Sequence, residues 1–128
     1  MTEAGGAAGA RAADVRVALV TAPDAGTAET LVHALVDEGV VACGNIVPDV
    51  VSIYRWQGQV ERAGEVLVVL KTTAAAVPRL LERVPALHPY EVPEVLVLPV
   101  AAGHEPYLAW VAGSVATMQD RDRGAHEV

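Results

Sequence analysis

The sequence predicts an α+β domain in which helices pack against a sheet of four strands. Short runs rich in valine alternate along the chain with stretches in which apolar residues recur every three or four positions. Hydrophobic residues make up 52% of the 128 residues, and charged residues make up 20%. This composition is sufficient for a hydrophobic core, and the length is typical of one domain.

The predicted elements follow one another in the order βαββαβ, with a further helix at the end. In sequence order they are a strand at 15–22, a helix ending at Gly39, a strand at 40–47 that continues extended over 50–57 after Pro48, a strand at 60–72, a helix around 77–84, a strand at 95–100 and a helix at 105–116. The two strands on either side of Gly58 form a long hairpin. This is the element order of a ferredoxin-like sandwich.

Local signals set the ends of the predicted helices. Asp24 follows a proline and can act as the N-cap of the first helix. Gly39 can end that helix, because glycine readily adopts the left-handed conformation found after a helix C-terminus. Pro78 is compatible with the second helix only if it lies in the first turn.

The residues outside 15–116 are expected to form mobile tails. Residues 1–14 consist largely of alanine and glycine, and residues 117–128 mix charges of both signs, so neither end has an apolar period. The N-terminal segment lacks the apolar stretch of a secretory signal, and no run approaches the ~18 apolar residues that cross a bilayer. We therefore expect a cytoplasmic protein.

The charge balance disfavours two classes of partner. Sixteen acidic residues against nine basic residues give a formal net charge of −7. Nucleic-acid binding normally requires a basic surface that displaces counterions, and anionic membranes repel an acidic chain. We expect neither nucleic acid nor membrane as a partner.

Two predicted strands are apolar on both faces, which indicates assembly. Val66, Val68 and Leu70 alternate with Leu67 and Val69, and the strand at 95–98 is also apolar throughout. A strand with one solvated face should instead alternate apolar and polar residues. Because two helices cover only one face of such a sheet, we expect copies of the chain to cover the other in a closed, symmetric homo-oligomer.

Six short motifs occur in order along the domain. They are Thr21-Ala22-Pro23-Asp24, Ala42-Cys43-Gly44-Asn45, Tyr54-Arg55-Trp56-Gln57-Gly58, Leu70-Lys71-Thr72-Thr73, His88-Pro89-Tyr90-Glu91-Val92-Pro93-Glu94 and Tyr107-Leu108-Ala109-Trp110. Together, over roughly residues 15–116, they resemble the CutA (divalent-cation tolerance) family. The resemblance implies a tight homotrimer whose long hairpins wrap between neighbours, and an architecture similar to the PII-like signalling proteins, which bind small ligands in clefts between subunits.

The resemblance also implies a candidate copper(II) site. In bacterial relatives the ligands are a cysteine just before the Thr-Ala-Pro-Asp motif and a His-His pair before the Pro-Tyr. The corresponding positions in this sequence are Val20, Leu87 and His88, so only His88 can ligate a metal. Glu91 and Glu94 could add carboxylate oxygens. The alternative is that His88 caps the last carbonyls of the second helix while the glutamates pair with basic residues across a subunit boundary.

Cys43 is the single cysteine, which excludes an intramolecular disulfide. It lies among apolar residues of a predicted strand, where a free cysteine usually behaves as a small buried hydrophobic residue. A nucleophilic pair of Cys43 with His88 would need an orienting group and an oxyanion hole, and the sequence identifies neither. We therefore expect a structural cysteine and a protein that is not an enzyme.

Six further residues are candidates for an inter-subunit cleft or interface. They are Tyr54, Trp56, Lys71, Tyr90, Tyr107 and Trp110. The aromatic residues can line a cleft for a small ligand, anchor the trimer interface, or do both. Lys71, the only lysine, can form an ion pair with Glu65 or Glu91, or an anion site at the start of the second helix.

Two functions therefore remain open. The first is divalent-cation tolerance through metal binding near His88, with copper(II) as the expected ion. The second is a PII-like sensor, in which a small ligand in the inter-subunit cleft changes a loop that a partner protein recognises. Arg55, Arg62 and Lys71 could supply the positive charge for such a ligand.

Overall fold

The computed structural model describes residues 14–116 and contains one sheet of four antiparallel strands. Its elements are β1 (Val15–Ala22), α1 (Ala25–Asp37), β2 (Cys43–Trp56), β3 (Gln59–Thr73), a short 3-10 helix (Ala74–Ala76), α2 (Val77–Leu87), β4 (Val95–Pro99) and α3 (Glu105–Ser114). The strand order is β2-β3-β1-β4. The predicted α+β class and element order are confirmed. Apart from Asp14, the predicted tails lie outside the described residues.

Helix α1 begins and ends where the sequence predicts. The Thr27 backbone N–H donates to Asp24 Oδ1 over 2.7 Å, and this bond lowers the pKa of the Asp24 carboxyl. After the helix, Gly39 has a φ of +74°, and a Cβ at this position would lie 2.6 Å from Ala116 Cβ. Glycine is therefore required at this position by both its backbone conformation and the close approach of the chain after α3.

Helix α2 contains Pro78 in its first turn, as predicted, and is joined to the end of α1 by an ion pair. Arg83 donates through Nε and Nη2 to the two carboxylate oxygens of Glu38, over 2.8 and 2.9 Å. This bond to the carboxylate raises the pKa of the Arg83 guanidinium. The forked geometry fixes the end of α1 relative to the middle of α2.

The main core lies between α1, α2 and one face of the sheet. Leu31 and Leu35 of α1 and Leu80 of α2 are buried against strand residues such as Val20 and Val68. The apolar periodicity seen in the sequence therefore corresponds to the buried faces of these elements. Among the described residues, no helix is long and apolar enough to span a membrane.

The opposite face of the sheet is covered only at one end. There α3 places Leu108 and Val111 over Val15 in a small second cluster. The remainder, which we call the open face, carries apolar side chains that alternate with core residues along three strands: Val17, Leu19, Leu67, Val69, Leu96 and Leu98. The register places Lys71 and Thr21 on the same side of the sheet, opposite Val17 and Leu67. Leu96 is 56% exposed and Leu98 is 47% exposed. The two-faced apolar strands are thus confirmed within one protomer.

The β2–β3 hairpin continues past the rest of the sheet as a two-stranded projection, which we call the arm (residues 50–65). Strand β1 pairs with β3 only as far as Ala22, opposite Val66. The sequence predicts a strand at 40–47 that continues extended over 50–57, and the structure has one strand from Cys43 to Trp56. A bulge between Val47 and Val50 keeps it continuous, with Asp49 at a φ of +59°.

Candidate functional site

His88 is buried at the end of α2, and both of its ring nitrogens are hydrogen bonded. The Tyr90 backbone N–H donates to Nδ1 over 3.0 Å, and Nε2 lies 2.7 Å from the Thr21 carbonyl oxygen. Because Nδ1 accepts, it carries no hydrogen, so Nε2 carries the ring hydrogen and donates it to Thr21. The contacts therefore fix one neutral tautomer. His88 does not cap the carbonyls of α2, as the alternative expected; it bonds across to the end of β1.

These contacts do not fit a metal ion at His88. Neither ring nitrogen retains a free lone pair, and Val20 and Leu87, at the other two family positions, are apolar. Glu91 and Glu94 are exposed on the loop after α2. Within residues 14–116, no three His, Cys, Asp or Glu side chains are grouped so that they could hold a metal ion. The expected copper(II) ligand set is therefore not assembled within one protomer.

Tyr90 extends the His88 contacts towards the arm. Its ring packs on the imidazole with ring centroids 4.7 Å apart, and its hydroxyl donates to Glu65 Oε2 over 2.8 Å. Burial raises the pKa of Tyr90 to about 12, and the bond to the Glu65 carboxylate acts in the same direction. The phenol therefore remains a hydrogen-bond donor at neutral pH.

A cavity of about 560 Å³ opens beside His88, between the start of α1 and the end of α2. The residues that line it are Asp24, Gly26, Thr27, Thr30, Leu87, His88 and Pro89. Hydroxyl and carboxylate groups give it a polar side, and Leu87 and Pro89 give it an apolar one. Thr27 and Thr30 are not predicted from the sequence, because threonines on the polar side of a helix carry no distinctive pattern.

The aromatic candidates form two separate groups within the protomer. Tyr54 and Trp56 lie on the arm and are 44% and 54% exposed. Tyr107 and Trp110 lie on α3, with their ring centroids 5.7 Å apart. Because Tyr107 lies near the first residue of β2 and Trp56 is the last, the two groups are at opposite ends of that strand. One protomer alone does not bring them into a single cleft.

Cys43 and Lys71 face each other across β2 and β3. Cys43 is half-buried, and its Sγ lies 3.7 Å from the Tyr107 hydroxyl. Burial raises the pKa of Tyr107, and the contact with Cys43 adds to this effect. Lys71 Nζ donates to Asn45 Oδ1, whereas Glu65 accepts from Tyr90. Lys71 thus bonds a neutral amide, where the sequence offered an ion pair with Glu65 or Glu91.

Comparison with known proteins adds a family match to this geometry. A family model described as the CutA1 divalent ion tolerance protein matches residues 16–114. The divalent-cation tolerance protein CutA of Thermus thermophilus is 53% identical over 95 residues, which cover 74% of this chain and 92% of that protein. Human protein CutA is 42% identical over 106 residues, or 83% of this chain. The matched region spans only 59% of the human protein and 55% of its mouse counterpart.

Two solved structures show the same fold. The divalent cation tolerance protein from Thermus thermophilus has a TM-score of 0.78 at 49% identity, and the match covers 80% of this chain and 99% of that one. CutA1 from Oryza sativa has a TM-score of 0.79 at 36% identity, covering 83% and 97%. The likeness extends over the sheet and the three helices of the described region.

Proposed function

Because the chain belongs to the CutA1 divalent ion tolerance protein family, we propose that it acts in divalent-cation tolerance as a homotrimer. The observation that carries this proposal is the open face. Six of its side chains are apolar in a chain with a net charge of −7, and Lys71 beside them is bonded to the neutral amide of Asn45. Since two acidic chains repel each other, a largely apolar surface is the most suitable place for copies to meet. The family resemblance is the reason for proposing three copies.

The arm gives a second argument for assembly. Ile53 is 70% exposed and Val60 is 66% exposed, although both belong to paired strands. An isolated two-stranded hairpin is marginally stable in water, and it gains stability when an apolar face is covered. In the proposed trimer each arm packs against a neighbouring copy, which covers these side chains. Closed rotational symmetry then gives all three arms the same covering contacts.

A pair of matched leucines tests the assembly. Leu98 on the open face and Leu81 on the outer side of α2 are equally exposed, at 47%. We expect Leu98→Glu to yield a monomer and Leu81→Glu to retain three chain masses by sedimentation velocity. A wild-type protein that sediments as a monomer, or a Leu98→Glu variant that sediments like the wild type, would contradict the proposal.

We do not propose a copper(II) centre at His88, because both ring nitrogens are already hydrogen bonded. We expect wild type and His88→Ala to bind copper(II) alike when the metal is titrated in competition with a chelator. His33→Ala removes an exposed imidazole of α1 and is the control for weak surface binding. Stoichiometric binding per protomer that is lost in His88→Ala alone would restore the copper site and make Glu91 and Glu94 the next positions to change.

The second candidate function is a PII-like sensor, favoured by the exposed aromatic side chains of the arm. In a trimer, Tyr54 and Trp56 of one copy would reach a cleft beside a neighbour, with Arg55 and Arg62 on the same arm. Trp110→Phe leaves Trp56 as the sole tryptophan. Titration of this variant with ATP and with ADP should change its emission if either nucleotide binds in that cleft. Unchanged emission would remove nucleotides as the sensed ligand.

We propose a cytoplasmic location and no catalytic role. The two nucleophilic or basic candidates are held by different groups, since Cys43 contacts Tyr107 while His88 bonds Thr21 and Tyr90. The acidic charge of the chain supports the absence of nucleic acid and membrane from its partners. Cell fractionation with a compartment marker tests the location.

A further inference from the structure

We propose that Tyr90 is a latch that couples the loop 88–94 to the arm. Its phenol hydroxyl donates to Glu65 Oε2 over 2.8 Å. Glu65 pairs with Val50, the first position of β2 beyond the bulge. The bond therefore joins the loop after α2 to the base of the projecting hairpin, where the arm leaves the sheet.

The loop end of this latch is held firmly by His88. The imidazole accepts the Tyr90 backbone N–H at Nδ1 and donates from Nε2 to the Thr21 carbonyl, so it is anchored to β1. The Tyr90 ring also packs on the imidazole, with ring centroids 4.7 Å apart. These contacts fix the positions of both the backbone and the ring of Tyr90, and they thereby direct its hydroxyl towards Glu65. His88 is thus a positioning residue for the latch.

The arm end of the latch is where the hairpin has least support. The bulge interrupts the register between Val47 and Val50, and Asp49 adopts a φ of +59° there. A bulge disrupts the strand ladder and bends the strand that carries it. Beyond this point β1 no longer pairs with β3. A bond from the body of the protein to Glu65 therefore restricts the angle at which the arm projects.

The latch connects the cavity beside His88 to the arm. His88 and Pro89 line the cavity and begin the loop that carries Tyr90. A displacement of His88 breaks its bond to the Tyr90 backbone, which moves the phenol away from Glu65 and frees the arm. The latch is a property of the protomer and does not depend on the proposed trimer.

Hydrogen exchange of the full-length protein tests the latch. Tyr90→Phe removes only the hydroxyl, and we expect the amides of the arm to exchange roughly tenfold faster, because one bond to a charged acceptor is lost. The amides of β1 and β4 should exchange as in wild type. Tyr107→Phe is the control, since its hydroxyl contacts Cys43 at the other end of β2. Unchanged arm exchange in Tyr90→Phe overturns the proposal.

Substitutions of Glu65 keep the test decisive if Tyr90→Phe fails to fold. Glu65→Gln retains a neutral carbonyl acceptor, so its arm amides should exchange at a rate between those of wild type and Tyr90→Phe. Glu65→Leu has no acceptor, and its arm amides should exchange as fast as those of Tyr90→Phe. The double variant Tyr90→Phe/Glu65→Leu should add little to either single change, because both remove the same bond. Equal exchange in the Gln and Leu variants would refute the latch. Sedimentation of the same samples reports separately on assembly.

Discussion

Gly44 lies where β2 passes close to α1, and its lack of a side chain permits that approach. A Cβ at this position would lie 2.8 Å from Val32 Cγ1 and 2.9 Å from Leu70 Cδ2. Both distances are shorter than packed carbon atoms allow, so the neighbouring side chains or the strand would have to move.

We expect Gly44→Ala to lower the free energy of unfolding by about 1–3 kcal/mol, the usual cost of overpacking a core. Urea denaturation at a fixed protein concentration measures it. Gly64→Ala is the matched control, because no atom lies within 4 Å of a Cβ built at that position of β3. Equal stability of the two variants would show that α1 and β2 separate freely.

The N-cap of α1 gives a second prediction, for pH dependence. Asp24 accepts the Thr27 backbone N–H, which lowers the pKa of its carboxyl below the ordinary value of 3.8. A carboxyl with a lowered pKa in the folded state contributes stability that is complete above 3.8 and is lost as the pH falls through the folded-state pKa. Asparagine can form the same cap without the charge.

We therefore expect wild type to have a higher Tm than Asp24→Asn at pH 7, with a difference that shrinks as the pH falls below 3.8. Thermal unfolding of both proteins across this range measures the change. A difference that persists unaltered in acid would mean that the carboxylate charge does not contribute to the cap.

The contacts of His88 are not visible in the sequence. The sequence identifies it as the one family ligand position that retains a histidine, but its Nε2 bonds a carbonyl 67 residues away in the chain. No local pattern reports that contact. Only the folded chain shows that both ring nitrogens are occupied.

At the scale of elements, the hairpin depends on the bulge in β2. Asp49 has a φ of +59°, a conformation that Asp and Asn tolerate better than other residues with a side chain. The sequence predicts an extended chain on both sides of Pro48-Asp49, but it does not reveal the bulge. In the structure the bulge lies between Val47 and Val50, and the strand continues beyond it into the arm.

We expect Asp49→Val to lower the free energy of unfolding by about 1–2 kcal/mol, because a β-branched residue is strained at positive φ. Asp49→Asn should be close to neutral, and Asp49→Gly should not destabilise. Urea denaturation of the three variants in parallel measures the order. A tolerated valine would indicate that the bulge shifts easily along β2.

At the scale of the whole molecule, charge and apolar surface act in opposite directions. The net charge of −7 makes copies of the chain repel each other, while the open face attracts them. Salt shortens the range of the repulsion and leaves burial of apolar surface largely intact. Assembly should therefore become stronger as the ionic strength rises.

We expect the proposed trimer to become tighter as salt rises from about 0.01 M to about 1 M, over which the screening length falls about tenfold. Sedimentation equilibrium at several protein concentrations measures the dissociation constant. Dissociation at high salt would instead show that ion pairs hold the copies together.

The sequence by itself determined the order of the elements, the buried face of each helix and the excess of apolar residues on the sheet. These features follow from periodicity and composition, which are local properties of the chain. The tertiary structure alone decided that His88 is held by Thr21 and Tyr90, that Tyr90 reaches Glu65, and that Lys71 bonds Asn45. Such contacts join residues distant in sequence, and they depend on strand register and loop path. A one-residue change of register would replace every cross-strand partner in the shifted strand.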